Sequence, residues 1–315
     1  MPSKRIAIVV IAAAITTVSC SLLSSSAEEP DNLEAALETD ADRTDSVDSR
    51  DTGRTGADEE LDAAGYFSRG RMNYIAGNYT LAIADLDLAL EKDPLDDEAY
   101  YYRGLSYYQL GDFARAIGNF DEAVALDADD PDAYFYRGRA YYRQGEFTQA
   151  IRQFDRMEAI DAEDPDLFYY RGRSHYKLGE YLQAIHDLDS AIELDPLNDG
   201  AYYYRGRANH KLGIYFVAIK DFDEAIALDP SSAASYYYRG RAHYKVDGFT
   251  RAIEDETQAI SLDPDHAYAY FYRGRAHAKM GHHEDAIADL ERALALGLQS
   301  SFAEKAEAIL VSLGR

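Results

Sequence analysis

Residues 236–249 read YYYRGRAHYKVDGF. Thirty-four residues earlier the chain reads YYYRGRANHKLGIY from Tyr202, and thirty-four earlier again FYYRGRSHYKLGEY from Phe168. The glycine of the Arg-Gly pair recurs at 70, 104, 138, 172, 206, 240 and 274. One constant step over seven copies marks a repeat array, in which a unit buries its apolar face only against its neighbours. With this glycine as position 8, the first unit begins at Ala63 and the seventh at Ala267.

Other positions repeat as strictly. Position 4 is aromatic: Tyr66, Tyr100, Tyr134, Phe168, Tyr202, Tyr236 and Tyr270. Position 20 is always alanine, from Ala82 to Ala286, and isoleucine always follows it. Position 27 is alanine except for Met157 in the third unit, and prolines punctuate the unit ends. Small residues at 8 and 20 let two helices approach, and aromatics at 4, 17 and 24 fill the remaining gaps. Glycines at position 15 (Gly111, Gly145, Gly179, Gly213) supply a left-handed turn that ends a helix.

On these residues the chain resembles the tetratricopeptide repeat (TPR) family, whose unit is a helix-turn-helix of this length. The resemblance implies an all-α fold: a right-handed superhelical solenoid of seven units over 63–298. Residues 299–315 are expected to form a C-terminal capping helix. There Ser301 and Glu304 have capping-box spacing, and Phe302, Ala306, Ile309, Leu310 and Leu313 form an apolar stripe.

The resemblance also implies that positions 5, 9 and 13 of the first helix, each four residues apart, point into a concave groove. Here they would present Tyr101; Phe135, Arg139 and Arg143; Tyr169, Arg173 and Lys177; Tyr203, Arg207 and Lys211; Tyr237, Arg241 and Lys245; Phe271, Arg275 and Lys279. Such a basic, aromatic wall suits acidic or extended segments of partner proteins, since arginine forks hold carboxylates and tyrosine adds flat apolar area. Glu98, Asp132 and Asp166 would make the N-terminal end more negative. The opposing reading is that the regularity is packing between units. The arginine at position 7 in every unit, with aspartates at 23 and 25, reads as an internal ion ladder rather than as ligand contacts.

The ends differ from the array. The 315-residue chain carries a formal net charge of −25, which argues against nucleic acid as a partner. Residues 1–27 read as a signal peptide: Lys4 and Arg5 precede an apolar run too short for a comfortable membrane span. Cys20, the only cysteine, ends that run and resembles the lipidated cysteine of a bacterial lipoprotein signal. Val18 and Ser19 fit that pattern, while Thr17 stands where leucine is usual. Ordinary secretion with cleavage near Ala27 and an uncleaved anchor are the alternatives. Residues 28–62 hold fourteen acidic residues against three arginines, and read as a disordered tether. The expected location is extracytoplasmic, with membrane contact only through the lipid anchor.

No phosphate-binding glycine loop, HExxH or GxSxG occurs. The chain is therefore expected to be a non-enzymatic scaffold of the bacterial cell envelope, without a cofactor. A self-associating structural protein is the alternative. His282 and His283, beside Glu284 and near His277, fall in the last unit's turn, and no metal is expected there. Glu256 takes position 24, elsewhere Leu or Phe, so the sixth unit is expected to be the weakest; His243 or His277 is the expected partner of that carboxylate.

Overall fold

The computed structural model describes residues 61–315. The signal peptide with Cys20 and nearly all of the acidic segment lie outside the described residues. Fifteen helices follow, and no strand occurs among the described residues. They are α1 (Ala63–Ile75), α2 (Tyr79–Lys92), α3 (Asp97–Gln109), α4 (Phe113–Leu126), α5 (Pro131–Arg143), α6 (Phe147–Glu158), α7 (Pro165–Lys177), α8 (Tyr181–Leu194), α9 (Asp199–Lys211), α10 (Tyr215–Leu228), α11 (Ala233–Lys245), α12 (Phe249–Leu262), α13 (Ala267–Met280), α14 (His283–Ala295) and α15 (Ser300–Ser312). Consecutive pairs form seven hairpins, and α15 covers the last. This is the right-handed solenoid of seven hairpins with its cap that the resemblance implies.

Local chemistry fixes where each hairpin starts and bends. The residue before each first helix caps it: Asp62, Asp96, Asp130, Asp164, Asn198, Ser232 and His266 each accept a backbone N–H of the first turn. A cap of this kind stabilises a helix by about 1 kcal/mol. Pro131 and Pro165 open α5 and α7, where the missing N–H has no intrahelical partner to lose. At the bend a residue with left-handed backbone reverses the chain. It is glycine in six units, and in the sixth it is Asp247 at φ 60°.

The hairpin closes through a slot at position 8. A Cβ on Gly104 would lie 2.8 Å from the Phe120 ring, and one on Gly138 would lie 2.7 Å from Phe154. Position 24 of the second helix therefore enters the gap that glycine leaves. In the sixth unit that residue is Glu256, fully buried, with Oε1 2.8 Å from where a Gly240 Cβ would stand. His243 lies toward Asp255, at 3.9 Å, and His277 against His282.

Each odd-numbered helix also touches the next odd-numbered one, so these helices form the inner layer. The cap seats Phe302 on Phe271 and Tyr268, with ring centroids 5.3 and 5.2 Å apart. Phe302, Ala306 and Leu310 are buried, as the stripe implies. The capping box is not formed: Gln299 precedes α15 and makes no side-chain cap.

Candidate interaction surface

Three side-chain columns run along the first helices, and the structure gives each a different role. The arginines at position 7 form the ion ladder. Arg205 donates from Nε to Asp221 in its own hairpin at 3.0 Å, and from Nη1 to Asp189 of the preceding hairpin at 2.7 Å. Arg239 repeats this with Asp255 and Asp223. Arg103 and Arg137 keep the rung to the preceding unit but meet Asn119 and Gln153 in their own. Arg171 binds Asp187, Asp155 and Glu158; burial opposes its charge, but Asp187 and Glu158 more than compensate and raise its pKa. Each rung thus ties one hairpin to the next.

The arginines at position 9 are enclosed by rings. Arg207 has its guanidinium carbon 4.7 Å from the centroids of both Tyr176 and Tyr238, with Tyr203 and Tyr204 beside it. Arg173 lies between Tyr142 and Tyr204 at 4.9 and 4.8 Å. Arg139 is surrounded likewise by Tyr108, Phe135, Tyr136 and Tyr170. Each cage draws on three consecutive units. A weakly hydrated, planar cation suits such a site, and a desolvated cation–π contact contributes about 2 kcal/mol.

This placement divides the sixteen residues that the sequence puts on the groove wall. Phe135, Arg139, Arg173, Tyr203, Arg207, Tyr237 and Phe271 are buried, Arg207 to 2% exposure. They are mortar between units. Tyr101, Tyr169, Lys177, Arg241 and Arg275 are half-buried, and Arg143, Lys211, Lys245 and Lys279 are exposed. The surface that a partner could touch is thus the position 13 column with the rim of the ring column. The tyrosines at 6 and 12 carry the signal for the cages, since they recur in step with the arginine at 9 and supply a ring from each neighbouring unit.

The charge along this layer is uneven. Burial, then Arg241, Arg275 and Lys305, hold the Lys245 ammonium below the usual lysine range. His210 is pushed down to about 2 by burial and then by Arg241, Lys245, Lys211 and Arg207. Toward the other end, burial, Tyr136, Asp132 and Asp130 push the Tyr101 hydroxyl up. Cations therefore gather around Lys245 and His210 on α9, α11, α13 and α15, and carboxylates near Tyr101.

The turn of the last hairpin brings together His277, His282 and Asp285; Glu284 and His283 are exposed nearby.

Models of the tetratricopeptide repeat match residues 101–165, 169–233 and 237–301, and a further TPR repeat model matches 70–111. The chain belongs to the tetratricopeptide repeat family. No curated protein matches it. Among solved structures, it resembles YrrB, described as a TPR protein with an unusual peptide-binding site. Identity is 26% and the TM-score 0.52, over 58% of this chain and 95% of that one. MamA is 26% identical with a TM-score of 0.51, over 54% of this chain and 93% of the other. A TPR protein from Parabacteroides merdae shares the fold at 19% identity and a TM-score of 0.58, over 80% of this chain and 99% of that one.

Proposed function

We propose that this chain is a non-enzymatic protein-interaction scaffold that holds acidic, extended segments of partner proteins against the position 13 cations. The observation that carries this reading is the column of exposed cations at position 13, Arg143, Lys211, Lys245 and Lys279, beside the half-buried Arg241 and Arg275. In a protein of net charge −25, such a face favours an anionic partner and excludes a basic one. Lys211, Lys245 and Lys279 would contact carboxylates directly. Tyr101 and Tyr169 would offer ring edges, and Arg241 and Arg275 would reach the rim. The caged arginines would act at a distance, by their field. That YrrB is described as having a peptide-binding site supports a peptide-like ligand.

The sequence at 1–27 supports delivery out of the cytoplasm, with Cys20 as the lipid anchor and residues 28–62 as the tether to a bacterial membrane. The scaffold would then work in the cell envelope, with membrane contact through the anchor alone.

The test is fluorescence anisotropy of a labelled Asp/Glu-rich peptide on the full chain and on the Lys211→Ala/Lys245→Ala/Lys279→Ala variant. The wild type should bind it with strong salt dependence, and the variant at least about tenfold more weakly, a loss of about 1.4 kcal/mol. Equal binding by both, or preference for a basic peptide of the same length, would refute the reading. Concentration-dependent association of the chain with no peptide binding would favour a self-associating spacer.

A further inference from the structure

The last hairpin differs from the other six at its turn, and the difference is chemical. Positions 11, 16 and 19 of a unit meet there: the last turn of the first helix, the residue before the second helix, and the first turn of the second. In the seventh unit they are His277, His282 and Asp285. Gly281, at φ 79°, reverses the chain, and the His282 N–H donates to the His277 carbonyl at 2.9 Å. The backbone itself therefore presses the two imidazoles together. Their Nδ1 atoms lie 3.3 Å apart, and the Asp285 Oδ2 lies 4.0 Å from that of His277. One ligand atom from each residue falls within 4.8 Å of both others.

We infer that His277, His282 and Asp285 form a binding site for a divalent transition metal of the zinc type. Zinc bonds imidazole nitrogen at about 2.0–2.1 Å, so a tetrahedral ion spaces its nitrogen ligands about 3.3 Å apart. The two histidines already stand at that spacing. A small rotation of the exposed Asp285 side chain would supply the third ligand, and water the fourth. Two imidazoles and one carboxylate select zinc, nickel or copper over calcium or magnesium, which take oxygen ligands. His277 is held in place by its helix, with its side chain only 15% exposed, whereas Asp285 faces solvent. The ion would staple α13 to α14 at the end of the array that carries the cap.

The fourth unit serves as an internal control. Its position 11 is also histidine, but position 16 is Glu180, and His175 Nδ1 meets the Glu180 carboxylate directly at 2.6 Å. Its position 19 is Gln183. A hydrogen-bonded pair therefore occupies the place where the seventh unit has three donors. The other units carry Leu81, Arg115, Gln149, Val217 and Arg251 at position 19, so only the seventh supplies a carboxylate there.

The test is calorimetric titration of zinc into the untagged full chain, with cobalt as a visible-absorption probe of the same site. Wild-type chain and the His175→Gln variant should each take up one equivalent of zinc that His282→Gln loses. His277→Gln should lose it too, and Asp285→Asn should weaken it at least about tenfold. Cobalt bands should disappear in parallel with zinc uptake. His282 is exposed and makes no side-chain cap, so its replacement leaves the fold intact by circular dichroism. Zinc uptake by His282→Gln equal to that of the wild type overturns the inference. So does no uptake by the wild type at about 0.1 mM zinc.

Discussion

The fourth and sixth hairpins are built on one plan and differ where stability is decided. In the fourth, Leu188 fills the slot at Gly172, Gly179 makes the left-handed bend, and Arg171 is bonded to three carboxylates. In the sixth, a buried carboxylate, Glu256, fills the slot and Asp247 makes the bend at φ 60°. The fourth hairpin offers Asp189 to the next arginine, at 2.7 Å. The sixth offers only the Thr257 hydroxyl to Arg273, at 3.2 Å. A period of 34 residues fixes the architecture of every unit, but not its strength. Stability in a repeat array is the sum of unit and interface contributions, so one weak unit is where the array opens.

The largest effect is expected from Arg171→Ala. It leaves Asp187, with a side chain 5% exposed, without its arginine and with only His175 and His186 near it, at 3.8 and 3.7 Å, and should destabilise by about 3–5 kcal/mol in denaturant unfolding. A loss below about 1 kcal/mol would mean that the ladder is decoration. Glu256→Leu restores the apolar slot residue of the fourth unit. Replacing buried ionic groups by well-packed apolar ones stabilises by about 1–4 kcal/mol, and a gain in that range would erase much of the difference between the two hairpins. Asp247→Gly should add about 1 kcal/mol, because the left-handed bend strains any Cβ; an unchanged melting temperature would show that Asp247 is already at ease.

The smallest effect concerns pH. Burial, outweighing Asp255, holds the His243 imidazole below its usual range. The unfolded chain then binds the proton first. The contribution of His243 is therefore present above pH 6.5 or so, and is lost as pH falls from there toward the lower folded value. Asn209 and Asn73 occupy the same position and donate to Asp221 and Asp85 at 2.9 Å. His243→Asn should reproduce that bond and flatten the stability profile between pH 7.5 and 5.5. A profile parallel to that of the wild type would remove His243 as its cause.

The fold was legible because its determinants are periodic: glycine at 8 and alanine at 20 read the same in every unit, and glycine at 15 in all but the sixth. The ion ladder was legible for the same reason, as arginine and aspartate recur sixteen residues apart. The proposed interaction face was only partly legible. Four-residue spacing places positions 5, 9 and 13 on one stripe of a helix, but says nothing of what the neighbouring units lay over that stripe. Tyr176 and Tyr238, from the units on either side, close over Arg207 and bury it, so the exposed wall is reduced to position 13 and the rim. That His277 and His282 share one turn was legible in the sequence, but the close approach of their rings was not. It depends on how the bend at Gly281 aims two side chains, which spacing alone does not fix.

The sixth hairpin, with Lys245 on its first helix, also lies among the cations where the partner segment is proposed to bind. The most direct measurement is hydrogen exchange by mass spectrometry on the full chain, resolved by hairpin, with and without the acidic peptide. Amides of α11 and α12 should exchange faster than those of α7 and α8, and should slow when the peptide is added. Equal protection of the two hairpins in the free chain, together with no change on adding peptide, would contradict both the weak unit and the binding face.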